Sequence, residues 1–268
     1  MNQPSQDGWV FRKLTTNTAC GMVAVGYPRI LTTTMMPNIR DDVVTVIHRA
    51  NQRGGRMLSV VDLIEAGTIS RDQACAVLAR IGQGASWLVG ARPSGAGKTT
   101  IMAAFLAMLP AGVRVCVTDA DSDWEHATPG ECLVAYEISP GYYDGYLWGE
   151  GVRLLLARGA SGCRLVSNLH ADTIEEAYDQ VVRQCGASEE LFGCFSLFLP
   201  IAVKQGRRRL GPILTYEQSA WQVLDERVRS RREQHIGIFL DRCLSRGCRT
   251  IEAVRAAWLA EKDLSMDL

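Results

Sequence analysis

Residues 86–100 read Ser86-Trp-Leu-Val-Gly-Ala-Arg-Pro-Ser-Gly-Ala-Gly-Lys-Thr-Thr100. A short apolar run leads into a glycine-containing turn, and Gly97-Lys98-Thr99 then opens an apolar, alanine-rich helix. This order is typical of a phosphate-binding loop, in which backbone N–H groups and the positive end of a helix dipole face an anion. We therefore predict binding of ATP with Mg²⁺ by eight consecutive residues: Pro93, Ser94, Gly95, Ala96, Gly97, Lys98, Thr99 and Thr100.

Within this loop, Lys98 is predicted to reach the β- and γ-phosphates, and the Thr99 hydroxyl is predicted to hold Mg²⁺. The loop departs from the pattern G-x-x-x-x-G-K-[ST] at one position, because Arg92 stands where the pattern has glycine. Nucleotide binding is the leading hypothesis. Because Arg92 replaces the motif glycine, the loop alone does not predict whether the bound nucleotide is hydrolysed.

The composition is that of an ordinary globular protein. The chain has 268 residues, of which 47% are hydrophobic, and its 29 Lys and Arg balance its 29 Asp and Glu. A net charge of zero gives no argument for nucleic acid or an anionic membrane as a partner, and no nucleic acid partner is predicted. The longest apolar runs, such as 101–110, are too short to span a membrane, and the N-terminus lacks the pattern of a secretory signal. The predicted location is cytoplasmic.

The nine cysteines of the chain are interpreted as reduced thiols. No C-x-x-C pair occurs, and Cys243 and Cys248 have no matching ligand pair nearby. Cys116, Cys132 and Cys163 fall in predicted buried strands, where cysteine acts as a small apolar residue. A metal site built on cysteine is therefore disfavoured.

The chain divides into two predicted domains, 1–69 and 70–268. The first is predicted to be a small α/β domain with strands at 9–14, 22–27 and 29–34 and a helix at 39–51. A capping-box signature, Ser70-Arg-Asp-Gln73, begins the helix that leads into the second domain.

Strands and helices alternate in the second domain. Strands are predicted at 87–90, 113–118, 132–136 and 163–169, and helices at 99–109, from near Tyr143 to Arg158, and at 173–185. Such alternation predicts a parallel, doubly wound sheet, in which ligands bind beyond the carboxyl ends of the strands. After residue 186 we predict an antiparallel hairpin of 195–204 and 211–215 joined across 205–210, and then helices at 221–240 and 250–264.

Two predicted strands end in residues suited to phosphate chemistry. Glu137 ends Cys132-Leu-Val-Ala-Tyr-Glu137, where a carboxylate can polarise the attacking water. The alternative is an ordinary strand-terminal glutamate. His170 ends the next strand, where it can sense the γ-phosphate or orient water; the alternative is a structural or surface histidine. Glu137 and His170 are the predicted catalytic residues.

Two further sets of charged residues each have a functional and a non-functional interpretation. Asp119 or Asp121 is a candidate second acid near the metal, and a solvated acidic loop is the competing interpretation. Arg207, Arg208 and Arg209 are predicted to form the tip of the hairpin, either as a solvated turn or as a contact to a neighbouring subunit or its nucleotide.

The order of these elements over residues 65–215 resembles the ATPase superfamily of type II and type IV secretion and of type IV and Tad pilus assembly. Residues 93–100 are similar to its Walker A segment, the acids after Val117 to its Asp box, and Tyr136-Glu137 to its Walker B Gly-Glu. Most specific is Gly159-Ala-Ser-Gly-Cys-Arg-Leu-Val-Ser-Asn-Leu-His-Ala-Asp-Thr173, which is similar to its His box. Arg92 and Tyr136 each replace a glycine of these motifs, and Ser139-Pro140 lack the Arg-Asp that usually follows.

The resemblance implies a RecA-like P-loop NTPase core with a parallel sheet, an N-terminal α/β domain, and a C-terminal hairpin with helices. It also implies an ATPase motor that works as a homo-oligomeric ring, a hexamer, and acts with inner-membrane platform proteins of a pilus or secretion machine. Peripheral attachment to the inner membrane would come through those partners. Two alternatives stay open: a catalytically weakened nucleotide-binding regulatory or scaffold subunit of such a machine, and a P-loop small-molecule kinase.

Overall fold

The computed structural model describes residues 43–51, 54–227 and 230–261. Contacts within the chain divide it into two units, Met1–Asn38 and Ile39–Leu268. All of the described residues belong to the second unit. The strands predicted at 9–14, 22–27 and 29–34 lie outside the described residues.

A sheet of nine strands forms the centre of this unit in the described part of the chain. The strands are β1 Trp87–Gly90, β2 Val115–Val117, β3 Cys132–Ile138, β4 Tyr146–Leu147, β5 Arg164–Leu169, β6 Leu197–Lys204, β7 Arg207–Leu210, β8 Leu214–Glu217 and β9 Ala220–Val223. Five strands run parallel in the order β2-β3-β5-β1-β6, and two more, β8 and β9, extend the sheet antiparallel beyond β6. The remaining two, β4 and β7, pair with β3 and β6.

Helices cover both faces of the sheet. They are α1 Val43–Ala50, α2 Val60–Glu65, α3 Arg71–Gly82, α4 Lys98–Leu106, α5 Glu150–Ala160, α6 Ile174–Tyr178, α7 Glu189–Phe192, α8 Arg231–Ser245 and α9 Ile251–Leu259. A π-helical segment, Asp179–Gln184, continues α6. In the ranges described above, no helix is both long enough and apolar enough to cross a membrane.

Successive side chains of β1 enter two different cores, because strand residues alternate between the faces of a sheet. Trp87 and Val89 pack with α1, α2, α3, α4, α8 and α9. Leu88 packs on the opposite face with α5, α6 and the aromatic residues Phe192, Phe195 and Phe198. The result is a three-layer α/β/α arrangement around a mostly parallel sheet, which confirms the predicted α/β fold.

Helices α1 and α2 belong to the same compact unit as the sheet. Val46 and Ile47 of α1 and Val60 and Val61 of α2 are fully buried in the core that also contains α4. Contacts divide the chain after Asn38, whereas the sequence predicted a boundary after residue 69. Apolar residues on two short helices are enough to bury both against α4, and this could not be read from the chain composition.

Several predicted element bounds differ from the structure. Residues 143–149 contain β4 rather than the start of a helix, and α5 begins at Glu150. The helix predicted at 221–240 is replaced by β9 and by α8, which begins at Arg231, after the Ser230 N-cap. The predicted hairpin is larger than expected, because β6 joins the parallel sheet beside β1 and also pairs antiparallel with both β7 and β8.

The hairpin turn is shorter than predicted. β6 and β7 are joined by Gln205 and Gly206 alone, both with positive φ, as a two-residue primed turn requires. Arg207–Arg209 are therefore strand residues of β7 and not the tip of the turn. Their exposed positions on the strand explain why the polar run resembled a loop.

Candidate functional site

The loop between β1 and α4 has the backbone conformation of an anion-binding turn. Gly95 has φ 77° and Gly97 has φ 99°, both in the left-handed region that favours glycine. Gly97 is also the N-cap of α4, so the loop delivers its backbone directly to a helix N-terminus. Backbone N–H groups in such a turn and the helix dipole together favour a bound phosphate.

Lys98, the first residue of α4, lies buried at the base of this loop with 8% of its surface exposed. Its Nζ is 3.2 Å from Oε1 of Glu137 and donates to the backbone carbonyl of Ala91 at 3.2 Å. The same ammonium lies 3.4 Å from Nδ1 of His170. The structure thus brings together the lysine, the carboxylate and the imidazole that the sequence singled out.

A β-bulge in β3 carries Glu137 into this position. Ala135 pairs with Ser167 and Ile138 pairs with Leu169, so β3 contains one more residue than β5 over this interval. An extra residue bends a strand and re-aims its side chains. Asn168 of β5 lies opposite the bulge and donates from Nδ2 to the carbonyl of Tyr136 at 2.8 Å. Glu137 is therefore an interior residue of β3, and its side chain is only 12% exposed.

His170 follows β5 and faces the same carboxylate. Its Nε2 lies 2.9 Å from Oε1 of Glu137. Nδ1 lies 3.0 Å from the carbonyl of Arg92. The backbone of His170 is fixed by Gln180 of the π-helical segment, whose Nε2 donates to the His170 carbonyl at 2.7 Å. Asn168 and Gln180 were missed by the sequence reasoning, although an asparagine inside an apolar strand was a visible signal.

Arg92 is directed away from the loop and toward α6. Its Nη2 lies 2.5 Å from Oε1 of Glu176, and its Nε donates to Oε2 at 3.1 Å. Its backbone N–H donates to Oδ1 of Asp172 at 2.8 Å. The side chain is 63% exposed, so Arg92 ties the start of the loop to the start of α6 from the outside.

Tyr136 holds helix α1 against the sheet. Its side chain is 6% exposed, and its hydroxyl donates to the carbonyl of Val46 at 3.2 Å. A Cβ at Gly145 would come within 2.5 Å of the Tyr136 ring, so glycine is required where the following loop passes the ring. This tyrosine, a departure from the motif in sequence, anchors α1 with its side chain.

A cavity of about 1190 Å³ opens over the loop. Its lining includes residues 94–101, Glu137, His170 and part of the segment 50–68. Arg207, Arg208 and Arg209 of β7 complete the wall. Arg208 donates to the carbonyl of Gly95 from Nε at 3.2 Å and from Nη2 at 3.0 Å. The arginine run therefore meets the loop of its own chain, a placement that neither sequence interpretation contained.

One residue of the cavity lining, Arg56, is held in an ion pair. Arg56, which lines the cavity, donates to Asp62 of α2 at 2.7 Å and 2.9 Å. Burial alone would raise the pKa of Asp62, but hydrogen bonds from Arg56 and Ser59 and the charge of Arg56 outweigh it, and the pKa lies below 3.8. Asp62 therefore stays ionised in the folded protein at neutral pH.

The remaining predicted site residues lie away from this cavity. Asp119 is buried in an ion pair with Arg49 of α1 at 2.7 Å, and Asp121 is exposed. Neither acid lines the cavity, and Pro93 does not line it either, whereas Ser94 to Thr100 do. Across the described ranges, no three His, Cys, Asp or Glu side chains are grouped as a metal site.

The residues present fit a nucleotide with Mg²⁺. Gly95 and Gly97 have the left-handed backbone of an anion-binding turn, and Lys98 places a buried cation at the base of the loop. Mg²⁺ in nucleotide sites is held by few protein oxygens together with phosphate and water, so a cluster of acids is not required. Thr99, which lines the cavity, would supply such an oxygen.

The strand order and this constellation define the class of fold. The strand that precedes the loop lies between β5 and β6, and the strand that carries Glu137 lies on the far side of β5. This is the arrangement of a RecA-like P-loop NTPase core.

Comparisons with known proteins do not assign the chain to a family. No protein-family model and no curated protein sequence matches the chain. One solved structure to which the chain is similar is the X-ray structure of the Legionella pneumophila ATPase DotB, with 14% identity and a TM-score of 0.28. The match covers 71% of this chain and 55% of DotB, so the chain spans little more than half the length of that protein.

Proposed function

We propose that the chain binds ATP with Mg²⁺ in the cavity over residues 94–100 and hydrolyses the γ-phosphate. One observation carries the proposal. The Lys98 ammonium, the Glu137 carboxylate and the His170 imidazole meet within 3.4 Å of one another at the base of an anion-binding loop. These are the groups that phosphoryl transfer to water needs, namely a cation for the phosphate and a carboxylate for the nucleophile.

The geometry suggests an order of events in which the phosphate replaces a protein ligand. In the free chain, Lys98 lies against Glu137, and each neutralises the other. A bound phosphate supplies a stronger anionic partner for Lys98, which leaves the Glu137 carboxylate able to accept a hydrogen bond from the attacking water. His170, whose Nε2 faces the same oxygen, fixes the side chain and senses the change. Mg²⁺, when bound, would neutralise developing charge on the phosphates.

We further propose that the work driven by this cycle is that of a secretion or pilus-assembly motor. Support comes from the order of the sequence motifs, above all the His-box-like stretch that ends in Leu169-His170-Ala-Asp-Thr173. A ring of like subunits and an inner-membrane platform as partner follow from that same resemblance. Light scattering of the full chain with and without ATP tests the ring, and a persistent monomer would contradict it.

The nucleotide experiment uses the full chain and three variants. Titration calorimetry with ATP and MgCl₂ measures binding, and a phosphate-release assay measures turnover. Lys98→Ala is expected to weaken ATP binding about tenfold or more, because it removes a charge-assisted contact. Glu137→Gln is expected to bind ATP and lose turnover by about 100-fold or more. Lys204→Ala removes an exposed lysine at the end of β6 and serves as the matched control, with no change expected.

The outcomes separate the three functions. Equal binding by wild type and Lys98→Ala overturns the proposal. Tight binding by the wild type without phosphate release supports the catalytically weakened subunit. The kinase alternative gains support from the arginines of β7 in the cavity wall, and it predicts phosphate transfer only when a small-molecule acceptor is added.

A further inference from the structure

Arg208 lies across the phosphate-binding loop of its own chain. Its Nε and Nη2 both donate to the carbonyl of Gly95, at 3.2 Å and 3.0 Å. Its Cδ lies 3.3 Å from where a Cβ on Gly97 would be, so the aliphatic stem runs close over the second glycine of the loop. The arginine therefore borders the surface that a phosphate would occupy.

The contact to Gly95 leaves most of the guanidinium unused. A guanidinium has five N–H donors in a planar fork, and one carbonyl engages two of them. Among the described residues, Arg208 has no carboxylate within ion-pair distance, unlike Arg92, which is held by Glu176. A guanidinium that is oriented by a carbonyl and not neutralised by an acid is suited to receive an anion, and its fork matches phosphate oxygens.

The hairpin gives Arg208 a defined position. Val203 of β6 pairs with Arg208 of β7, and the first half of β6 pairs with β1, the strand that leads into the loop. Arg208 and the loop are thus positioned by one continuous sheet within one chain. Its reach to the phosphates does not depend on a neighbouring subunit.

We propose that Arg208 binds the phosphate end of a nucleoside triphosphate held by the loop of the same chain, and that the Gly95 contact is its resting position. The inference rests on the proposed function, because it assigns Arg208 a role toward the same ligand. Lys98 then contacts the phosphates from the base of the loop, and Arg208 contacts them from β7. Arg208 is then the residue that distinguishes nucleotides by the number of their phosphates.

The experiment compares ATP and AMP binding by titration calorimetry in the full chain. Arg208→Ala is expected to weaken ATP binding about 10-fold to 100-fold, the effect of losing a charge-assisted hydrogen bond, and to leave AMP binding within about twofold. Arg208→Lys keeps a positive charge without the fork, and it is expected to fall between wild type and Arg208→Ala. Arg246→Ala, an exposed arginine at the end of α8, is the charge-matched control and should behave as wild type.

A mixing experiment tests action within one chain. Arg208→Ala, which keeps Lys98, is combined with Lys98→Ala, which keeps Arg208. If Arg208 acted on a neighbouring subunit, the mixture would regain tight ATP sites, whereas action within the chain predicts no recovery. Recovery overturns the proposal.

The remaining outcomes keep the two proposals distinguishable. Wild type that does not bind ATP contradicts the proposed function and this inference together. If wild type binds ATP and both Arg208→Ala and Arg208→Lys bind it equally tightly, this inference is contradicted and the proposed function is not. If Arg208→Ala loses its folded circular dichroism spectrum, the test uses Arg208→Lys, which keeps the aliphatic stem over Gly97. An ATP affinity of Arg208→Lys equal to that of wild type would contradict a role for the guanidinium in phosphate binding.

Discussion

Replacement of Arg92 by the glycine of the phosphate-loop pattern should destabilise the protein without improving nucleotide binding. Arg92 is not among the described non-glycine residues with positive φ, so the backbone at this position does not require glycine. Its side chain is outside the cavity lining, and it reaches Glu176 with both Nε and Nη2. Arg92→Gly therefore removes an ion pair and adds backbone freedom, and it opens no space in the site.

The expected cost follows from these two losses. The ion pair is largely exposed, with 63% and 29% of the two side chains accessible, so it contributes about 0.5 to 1 kcal/mol. Glycine in place of another residue adds unfolded-state entropy worth about 0.5 to 1 kcal/mol. Together the free energy of unfolding should fall by about 1 to 2 kcal/mol, which corresponds to a decrease in Tm of about 2 to 8 °C for a chain of this size.

Urea denaturation and thermal unfolding of three variants test this magnitude. Arg92→Ala should lose only the ion-pair part and lie between wild type and Arg92→Gly. Arg227→Ala, which removes an exposed arginine from its ion pair with Asp225, should cost less than Arg92→Gly. ATP affinity should stay within about threefold throughout. An Arg92→Gly protein as stable as wild type, or one that binds ATP tenfold more tightly, would refute the reasoning.

Three further predictions concern other parts of the fold. Tyr136→Phe should lower the free energy of unfolding by about 1 kcal/mol in urea, because it removes a buried hydrogen bond to α1, whereas Tyr142→Phe, fully exposed, should change nothing. Asp62→Asn should lower the free energy of unfolding by about 1 to 2 kcal/mol at neutral pH, because a neutral amide replaces the charged acceptor of the hydrogen bonds from Arg56 and from the Ser59 N–H. The pKa of Asp62 is lower in the folded protein than in the unfolded chain. The stability difference between wild type and Asp62→Asn should therefore be fully present above pH 3.8 and should disappear as the pH falls through the folded-state pKa. Burial raises the pKa of the Cys132 thiol to about 12, so peptide mapping after iodoacetamide at pH 8 should find it unmodified until the protein unfolds.

Each of these has a contrary result. Equal stability of Tyr136→Phe and wild type would mean that the hydroxyl bond is not formed in solution. A gap for Asp62→Asn that persists unchanged to pH 2 would contradict the depressed pKa of the carboxyl. Rapid alkylation of Cys132 in the native protein would contradict its burial.

The parts of the fold that could be predicted from the sequence are mainly those set by local sequence patterns. The strand at Trp87–Gly90 and the capping box at Ser70 depend on residues close together in the chain, and both were placed correctly. The approach of Glu137 and His170 to Lys98 could also be predicted, because alternating strands and helices indicate a parallel sheet, whose strands end at one edge.

Features that depend on distant pairing could not be predicted. The bulge that aims Glu137 exists only because β3 lies beside β5, and its partner Asn168 is distant in sequence. Likewise, β6 resembles one arm of a hairpin in sequence, and only its placement beside β1 reveals it as a strand of the parallel sheet. Arg208 reaches the loop through that same placement, so its contact to Gly95 could not be read from a run of three arginines.

Of the three strands that pair with β6, β1 and β7 differ in how their pairing resists mechanical load. Trp87 to Gly90 pair with Leu197 to Pro200 inside the sheet, where a pull along the strand is a shear that all pairs resist together. β7 has β6 as its one neighbour in the described sheet, so a sideways pull separates its pairs one after another. β7 is therefore easier to displace than β1. Arg207–Arg209 of β7 can move with a ligand while β1, which leads into the phosphate-binding loop, stays in place.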